Sequence, residues 1–165
     1  MDNKIKVVDD KELKNLVGQY IREFGYDVDL NILDTSLVTD MSCLFSNSTF
    51  NGEIGEWDTS RVTSMYNMFY CSDFNRDISR WDTSSVIDMT GMFEGSQFTG
   101  DISKWNTSKV ISMRSMFCNS IFNGDLSDWD TANVGSMEEM FKESFFDRDI
   151  SRWNVKNVTD MCNMF

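Results

Sequence analysis

The sequence predicts an α/β solenoid, built from 24-residue units stacked behind an N-terminal helical cap. Three observations carry this expectation. The tryptophans fall at Trp57, Trp81, Trp105, Trp129 and Trp153, each 24 residues after the last. A set of apolar residues recurs at fixed offsets from them without a single insertion. The composition is that of one unit copied along 165 residues, with 12 Met, 13 Phe and no Pro. One such unit cannot bury its apolar face alone, so neighbours must stack into a continuous core.

The offsets are strict. Five residues after the Trp position stand Val38, Val62, Val86, Val110, Val134 and Val158. Eight after stand Met41, Met65, Met89, Met113, Met137 and Met161. Eleven and twelve after comes a Met-Phe pair in five units, Met68-Phe69 to Met164-Phe165, and Leu44-Phe45 in the first. Phe50, Phe74, Phe98, Phe122 and Phe146 follow at seventeen, and Ile54, Ile78, Ile102, Leu126 and Ile150 at twenty-one. Extended backwards, the frame reaches Leu33. Residues 1–32 are therefore the cap and residues 33–165 the array, with units opening at Leu33, Trp57, Trp81, Trp105, Trp129 and Trp153, the last incomplete.

In the cap, Ile5, Val7 and Val8 form a candidate short strand. Asp9 with Glu12 three residues later reads as a capping box. Leu13, Leu16, Val17, Tyr20, Ile21 and Phe24 then recur at helical spacing, and Gly25 stands at the stop position, predicting a helix over residues 10–24. A solenoid needs such an atypical first element, because its first coil otherwise exposes an apolar edge.

Within a unit, Ser60 to Phe69 places Val62, Met65, Met68 and Phe69 on one face of a short helix or of 3₁₀ turns. Asp58-Thr59-Ser60 supplies capping oxygens for its free N–H groups. Phe74 to Trp81 has no helical stripe. It reads as a turn, marked by Asn51-Gly52 and Asn123-Gly124 in other units, leading into a short strand near the Ile and Trp. Corresponding strands would stack in a parallel ladder about 4.8 Å apart. A serine follows the helical segment in each full unit, at Ser48, Ser72, Ser96, Ser120 and Ser144, and is expected to bond a free amide or carbonyl where the chain turns.

The sequence given stops at Phe165, half-way through a unit. Trp153, Val158, Met161, Met164 and Phe165 are thus expected to form an exposed apolar edge with unpaired backbone groups. Two readings stay open: a fragment of a longer array, or an end that pairs with a second copy as a homodimer.

Composition also excludes functions. The absence of His removes imidazole acid/base catalysis, Ser-His and Cys-His nucleophile pairs, and His-ligated metals. A net charge of −12 argues against nucleic-acid binding and against anionic lipid. No segment approaches the length of a membrane span. Cys43, Cys71, Cys118 and Cys162 lie in different units at different offsets, which favours free thiols over zinc or disulfides. Two acidic columns, Glu53, Asp77, Asp101, Asp125 and Asp149 before the tryptophans and Asp58, Asp82, Asn106, Asp130 and Asn154 after them, either accept turn hydrogen bonds or hold calcium; Asn at two of the positions favours the former. No catalytic residue, cofactor or metal site is expected, and the chain is not expected to be an enzyme.

If the frame is structural, partner recognition must lie where units differ. The variable offsets are four, nine, ten, thirteen and fourteen after the Trp, and they flank the apolar stripe. Among them Arg61, Tyr66, Tyr70, Arg114 and Glu138 are the candidate residues for protein binding, since Tyr and Arg are favoured interface anchors.

The unit Phe-Asn-Gly-Asp-Ile-Ser-x-Trp-Asp-Thr-Ser-x-Val-x-x-Met-x-x-Met-Phe, clearest in Phe74 to Phe93 and Phe98 to Phe117, resembles the repeat of the BspA-like leucine-rich repeat surface proteins, in its mycoplasma-type variant of roughly 25 residues. The segment Asp29 to Met41 resembles the opening of such arrays. The resemblance implies a right-handed leucine-rich-repeat-like coil, display on a bacterial surface, and adhesion or host-protein binding. The start Met1-Asp2-Asn3-Lys4-Ile5-Lys6 departs from the family's surface members in carrying neither an apolar leader nor a lipidation cysteine, so the chain as written is expected in the cytosol.

Overall fold

Residues 4–165 are described by a computed structural model; residues 1–3, the start of the predicted cap, lie outside the described residues. The cap is built from the capping chemistry of Asp9. Its side chain accepts from the Glu12 N–H at 2.7 Å, and Glu12 accepts in return from the Val8 N–H at 2.6 Å. Helix α1 (Asp10–Phe24) follows, ends at Gly25 with φ 92, and buries Leu13 and Val17. Strand β1 (Ile5–Lys6) pairs in parallel with β2 (Leu33–Asp34), which carries the first unit. The Asp10 carboxylate fixes the helix to that unit by accepting from the Thr39 and Asp40 N–H groups at 2.7 and 3.1 Å. Burial opposes its charge, but those hydrogen bonds outweigh it and hold Asp10 below the ordinary aspartate value.

Beyond the cap, each unit lies on the next in register. Parallel pairings run from Asp40 to Ser64, Asp88, Ser112, Ser136 and Asp160 in succession. From there every second N–H donates forward to the next unit. Met65 bonds the Asp88 carbonyl at 3.0 Å, Asn67 that of Thr90 at 2.9 Å, Phe69 that of Met92 at 2.9 Å, and Cys71 that of Glu94 at 2.7 Å. The same bonds recur in the following units, as from Met89, Gly91, Phe93 and Gly95.

Of the two forms expected, a short helix or 3₁₀ turns, the segment takes a run of turns. Within the unit the bonds are i+3 to i, such as Met68 to Met65 and Tyr70 to Asn67 at 3.1 and 3.2 Å. The residues ten and fourteen after the Trp sit at positive φ: Cys43, Asn67, Gly91, Ser115, Glu139 and Asn163 at the first, Asn47, Cys71, Gly95, Asn119 and Glu143 at the second. A left-handed residue every fourth position stops a helix from propagating and turns alternate N–H groups outward to the neighbouring unit. The inter-unit ladder therefore runs along the Met-x-x-Met-Phe segment, not beside the Ile and Trp, where the sequence suggested strands.

The core is a set of columns. The ring of Phe93 stacks on Phe69 at 5.6 Å and on Phe117 at 5.8 Å, and Phe98 on Phe74 and Phe122 at 6.3 Å each. Trp81 lies parallel to Trp57 at 6.5 Å and to Trp105 at 6.3 Å. Each indole N–H donates to the carbonyl 27 residues earlier, as Trp81 to Ile54 at 3.1 Å, so a polar edge is satisfied within an apolar column. Thr35, Thr59, Thr83, Thr107 and Thr131 are buried. Their hydroxyls do not cap the same unit; each donates to the next unit, as Thr83 to the Asn106 carbonyl at 3.0 Å. The buried serines accept the amide two residues on, as Ser72 from Phe74 and Ser96 from Phe98, both at 3.1 Å. Among the described residues no buried side-chain N or O lacks a partner.

Candidate functional site

Apart from Glu53, whose carboxylate lies 3.8 Å from Arg76 Nε, the acidic columns are engaged by their own turns. Asp77, Asp101, Asp125 and Asp149 accept from the N–H of Ser79, Ser103, Ser127 and Ser151 at 2.8–2.9 Å. These backbone bonds, helped by the serine hydroxyls, hold all four below the ordinary aspartate value. In the second column Asp82 accepts from Ser84 at 2.9 Å and Asn106 from Ser108 at 3.0 Å. An amide oxygen serves as well as a carboxylate there, so the position uses an acceptor and not a charge. Among the described residues no three Cys, Asp or Glu side chains converge on a point that would hold a metal ion. Cys43, Cys71 and Cys162 are exposed free thiols and Cys118 is a buried one, whose pKa burial pushes up.

The outward face of the ladder carries the candidate binding residues. Tyr66 is 41% exposed. Arg114 Nε pairs with the Glu138 carboxylate of the next unit at 2.9 Å. Tyr66 and Arg114 line one transverse groove of about 340 Å³ with Thr90, Glu94 and Glu139. Tyr70 lies beside it, half-buried, and a hydrogen bond to Cys71 raises its hydroxyl pKa. Glu138 stays outside the groove and acts on it by holding Arg114. Arg61 is exposed but stands four after its Trp, apart from the groove lining. The structure thus brings Tyr66 and Arg114 together, adds Tyr70 and Glu138 at the margin, and leaves Arg61 separate.

Sequence reasoning missed what makes the groove. It treated offsets ten and fourteen as freely variable, whereas both are left-handed positions. The recurrence of Asn and Gly there was the available signal. In the unit 81–104 these two positions are Gly91 and Gly95, and offsets nine and thirteen are Thr90 and Glu94. The two glycines, between Asn67 and Cys71 on one side and Ser115 and Asn119 on the other, leave the gap. A Cβ on Gly91 would overlap Asn67 Oδ1, and one on Gly95 would lie 2.8 Å from Cys71 Sγ, so the preceding unit leans into that gap. Sequence reasoning also passed over Glu94, which lies half-buried in the groove and whose carboxylate has no hydrogen bond or ion pair among the described residues. Burial, and then the neighbouring charge of Glu139, raise its pKa.

A second depression of about 660 Å³ lies among the turns at Asn123 to Asp125 and Arg148 to Arg152. Its charges are spent on the fold: Arg148 Nε donates to the Asn123 carbonyl at 3.0 Å and Arg152 pairs with Asp128 at 3.2 Å.

At the last unit, Trp153 is 8% exposed, Met161 41% and Phe165 72%. Val158 and Met164 are half-buried. Phe165 stacks one ring face on Phe141 at 5.7 Å. Among the described residues no helix is long and apolar enough to cross a membrane.

No curated protein and no solved structure matches the chain. A protein-family profile described as "Mycoplasma protein of unknown function, DUF285" matches residues 11–120 and 94–165, overlapping as a tandem array permits. The two matches together take in the array and most of the cap, and the chain belongs to that family.

Proposed function

We propose that the chain is a non-enzymatic repeat protein that presents the outward face of its ladder to a protein partner. In this reading the array is a right-handed leucine-rich-repeat-like solenoid of the BspA-like surface-protein kind. Its inward columns are common to all units and supply the fold, while recognition belongs to the outward positions. The observation that carries the reading is the convergence of Tyr66 and Arg114 on one groove, with Arg114 held by Glu138. Adhesion to a host protein is the form of binding that the motif's likeness to surface arrays supports. The test compares proteins captured by the immobilised chain with those captured by the combined variant Tyr66→Ala, Tyr70→Ala, Arg114→Ala. All three side chains are at the surface or half-buried, so the variant should keep the wild-type circular dichroism spectrum. Loss of specific partners supports the reading, and an unchanged set of partners refutes it.

One further observation favours a second reading. Phe165 is stacked on one side and 72% exposed, so the edge formed with Trp153, Val158, Met161 and Met164 offers an apolar surface to a second copy. Sedimentation of the 165-residue chain over a wide concentration range tests it. A mass that stays monomeric throughout rejects it.

A further inference from the structure

We propose that the transverse groove over the unit 81–104 receives a cationic side chain of the protein partner, an arginine in preference to a lysine, with Glu94 as its counter-ion and Tyr66 as one wall. The proposal rests on the partner-binding reading above and specifies the chemistry of its centre.

Charge accounting selects the guest. Three charged side chains act on Glu94: Glu139, Arg114 and Lys142. Arg114 is tied to Glu138 at 2.9 Å, and Lys142 to Glu139 at 2.6 Å. Both cations are therefore already matched, and Glu94 is left as the one carboxylate of the groove without a partner among the described residues. Burial and the charge of Glu139 outweigh the more distant pull of Arg114 and Lys142 on this half-buried carboxylate, so a monovalent cation entering the groove supplies the contact ion pair the free protein lacks. An anionic guest would meet Glu94 and Glu139 together, and an apolar one would bury Glu94 further.

Shape selects a side chain over a larger group. The groove is centred on the unit 81–104, which alone carries glycine at both left-handed positions. The backbone does not demand glycine there: the same column holds Asn67, Ser115 and Glu139 at φ 50, 53 and 55. What glycine supplies is absence of bulk. The backbone N–H groups of the floor are used between units, Gly91 to the Arg114 carbonyl and Gly95 to that of Cys118, both at 2.8 Å. Recognition must then come from side chains, with Glu94 and Glu139 as acceptors, the Thr90 hydroxyl at the floor and the Tyr66 ring at the side. A planar guanidinium bonds two acceptors at once and stacks on an aromatic face, whereas an ammonium is a compact, strongly hydrated point charge.

The test titrates the ¹⁵N-labelled chain with N-acetyl-arginine methylamide, and in parallel with the citrulline analogue, which has the same shape and no charge. The expected result is saturable shifts of the Gly91 and Gly95 amides with the arginine compound and none with citrulline. Glu94→Gln keeps the shape and should weaken binding about tenfold or more, as loss of a charged hydrogen-bond partner does. Glu56→Gln, remote from the groove, should leave binding unchanged. Equal shifts from citrulline, wild-type affinity in Glu94→Gln, or no saturable shift at a few tens of millimolar each overturns the proposal. If the arginine compound fails while the Tyr66, Tyr70 and Arg114 variant still loses its partners, the groove chemistry falls and the binding face stands. If the compound binds and the partners are unchanged, the face falls instead.

Discussion

Replacing Phe93 with Ala removes a fully buried ring at the centre of the array. Phe93 is 0% exposed. It stacks on Phe69 at 5.6 Å, on Phe117 at 5.8 Å, on Phe98 at 4.5 Å and on Trp105 at 6.2 Å. Truncating a buried Phe costs about 3–5 kcal/mol, and the value rises with how poorly the site collapses. Here collapse is resisted from both sides, because the two flanking units are pinned by their own backbone bonds. The aromatic pairs add geometry-dependent attraction of about 0.5–1.5 kcal/mol each beyond area burial, though not additively. We expect a loss of about 4–5 kcal/mol, a large share of the roughly 5–15 kcal/mol that a domain of this kind holds in total. Phe165→Ala is the control, since Phe165 occupies the same column but is 72% exposed with a stack on one side. Its loss should be about 1 kcal/mol or less. Urea unfolding followed by tryptophan fluorescence measures both. Equal losses for the two variants, or a loss below about 2 kcal/mol for Phe93→Ala, would refute the column as the source of stability.

Other perturbations follow from the same geometry. Gly91→Ala introduces a Cβ at φ 60 against Asn67 Oδ1 and should destabilise by about 1–2 kcal/mol; Ser115→Gly in the same column relieves a left-handed residue at φ 53 and should be neutral or slightly stabilising by urea midpoint. Thr83→Val removes the hydroxyl that donates to the Asn106 carbonyl at 3.0 Å, and should lower stability by about 1–2 kcal/mol in the same assay. Asp77, Asp101, Asp125 and Asp149 titrate below the ordinary aspartate value in the folded chain. The folded state therefore binds fewer protons than the unfolded one, and the stability these groups give is full above about pH 4 and lost as pH falls through the lowered folded values. Asp101→Asn keeps an acceptor for the Ser103 N–H but removes the charge, so it should lower the neutral urea midpoint slightly and make the acid decline shallower.

The period was legible because every inward column repeats without insertion, and a repeat of identical burial demands leaves no other frame. The helix was legible in Asp9, Glu12 and the apolar spacing from Leu13 to Phe24, since those signals act within one element. The conformation of the repeat was not. Val62, Met65, Met68 and Phe69 at spacings of three and four satisfy a helix as well as a run of turns, and what decides between them is the bond each N–H makes to a residue 23 positions away, as Asn67 to Thr90. Side-chain periodicity does not report that bond. Asn67, Gly91, Gly95 and Asn119 did report the left-handed positions, but the Cys, Ser and Glu that share their columns disguised a backbone requirement as sequence variability. The buried threonines misled for a related reason: Thr beside Asp and Ser reads as a helix cap within one unit, and only stacking shows the hydroxyl reaching the next. Of the candidate binding residues, Tyr66 and Arg114 were proposed from residue type, while Glu94 enters the proposal only through its unpaired carboxylate, which residue type does not report.

Amide hydrogen exchange, read residue by residue, tests the stacked ladder most directly. Slow exchange is expected at Met65, Asn67, Phe69 and Cys71, again at Met89, Gly91, Phe93 and Gly95, and again at Met113, Ser115, Phe117 and Asn119, because each of these N–H groups donates to the next unit. The intervening Tyr66, Thr90 and Arg114, whose amides meet only a side-chain oxygen of their own unit, should exchange faster. Protection interrupted at Tyr66, Thr90 and Arg114, with the interruption recurring every 24 positions, is the predicted result. Unbroken protection from Val86 to Phe93, as a helix gives, or protection without that recurrence, would contradict it.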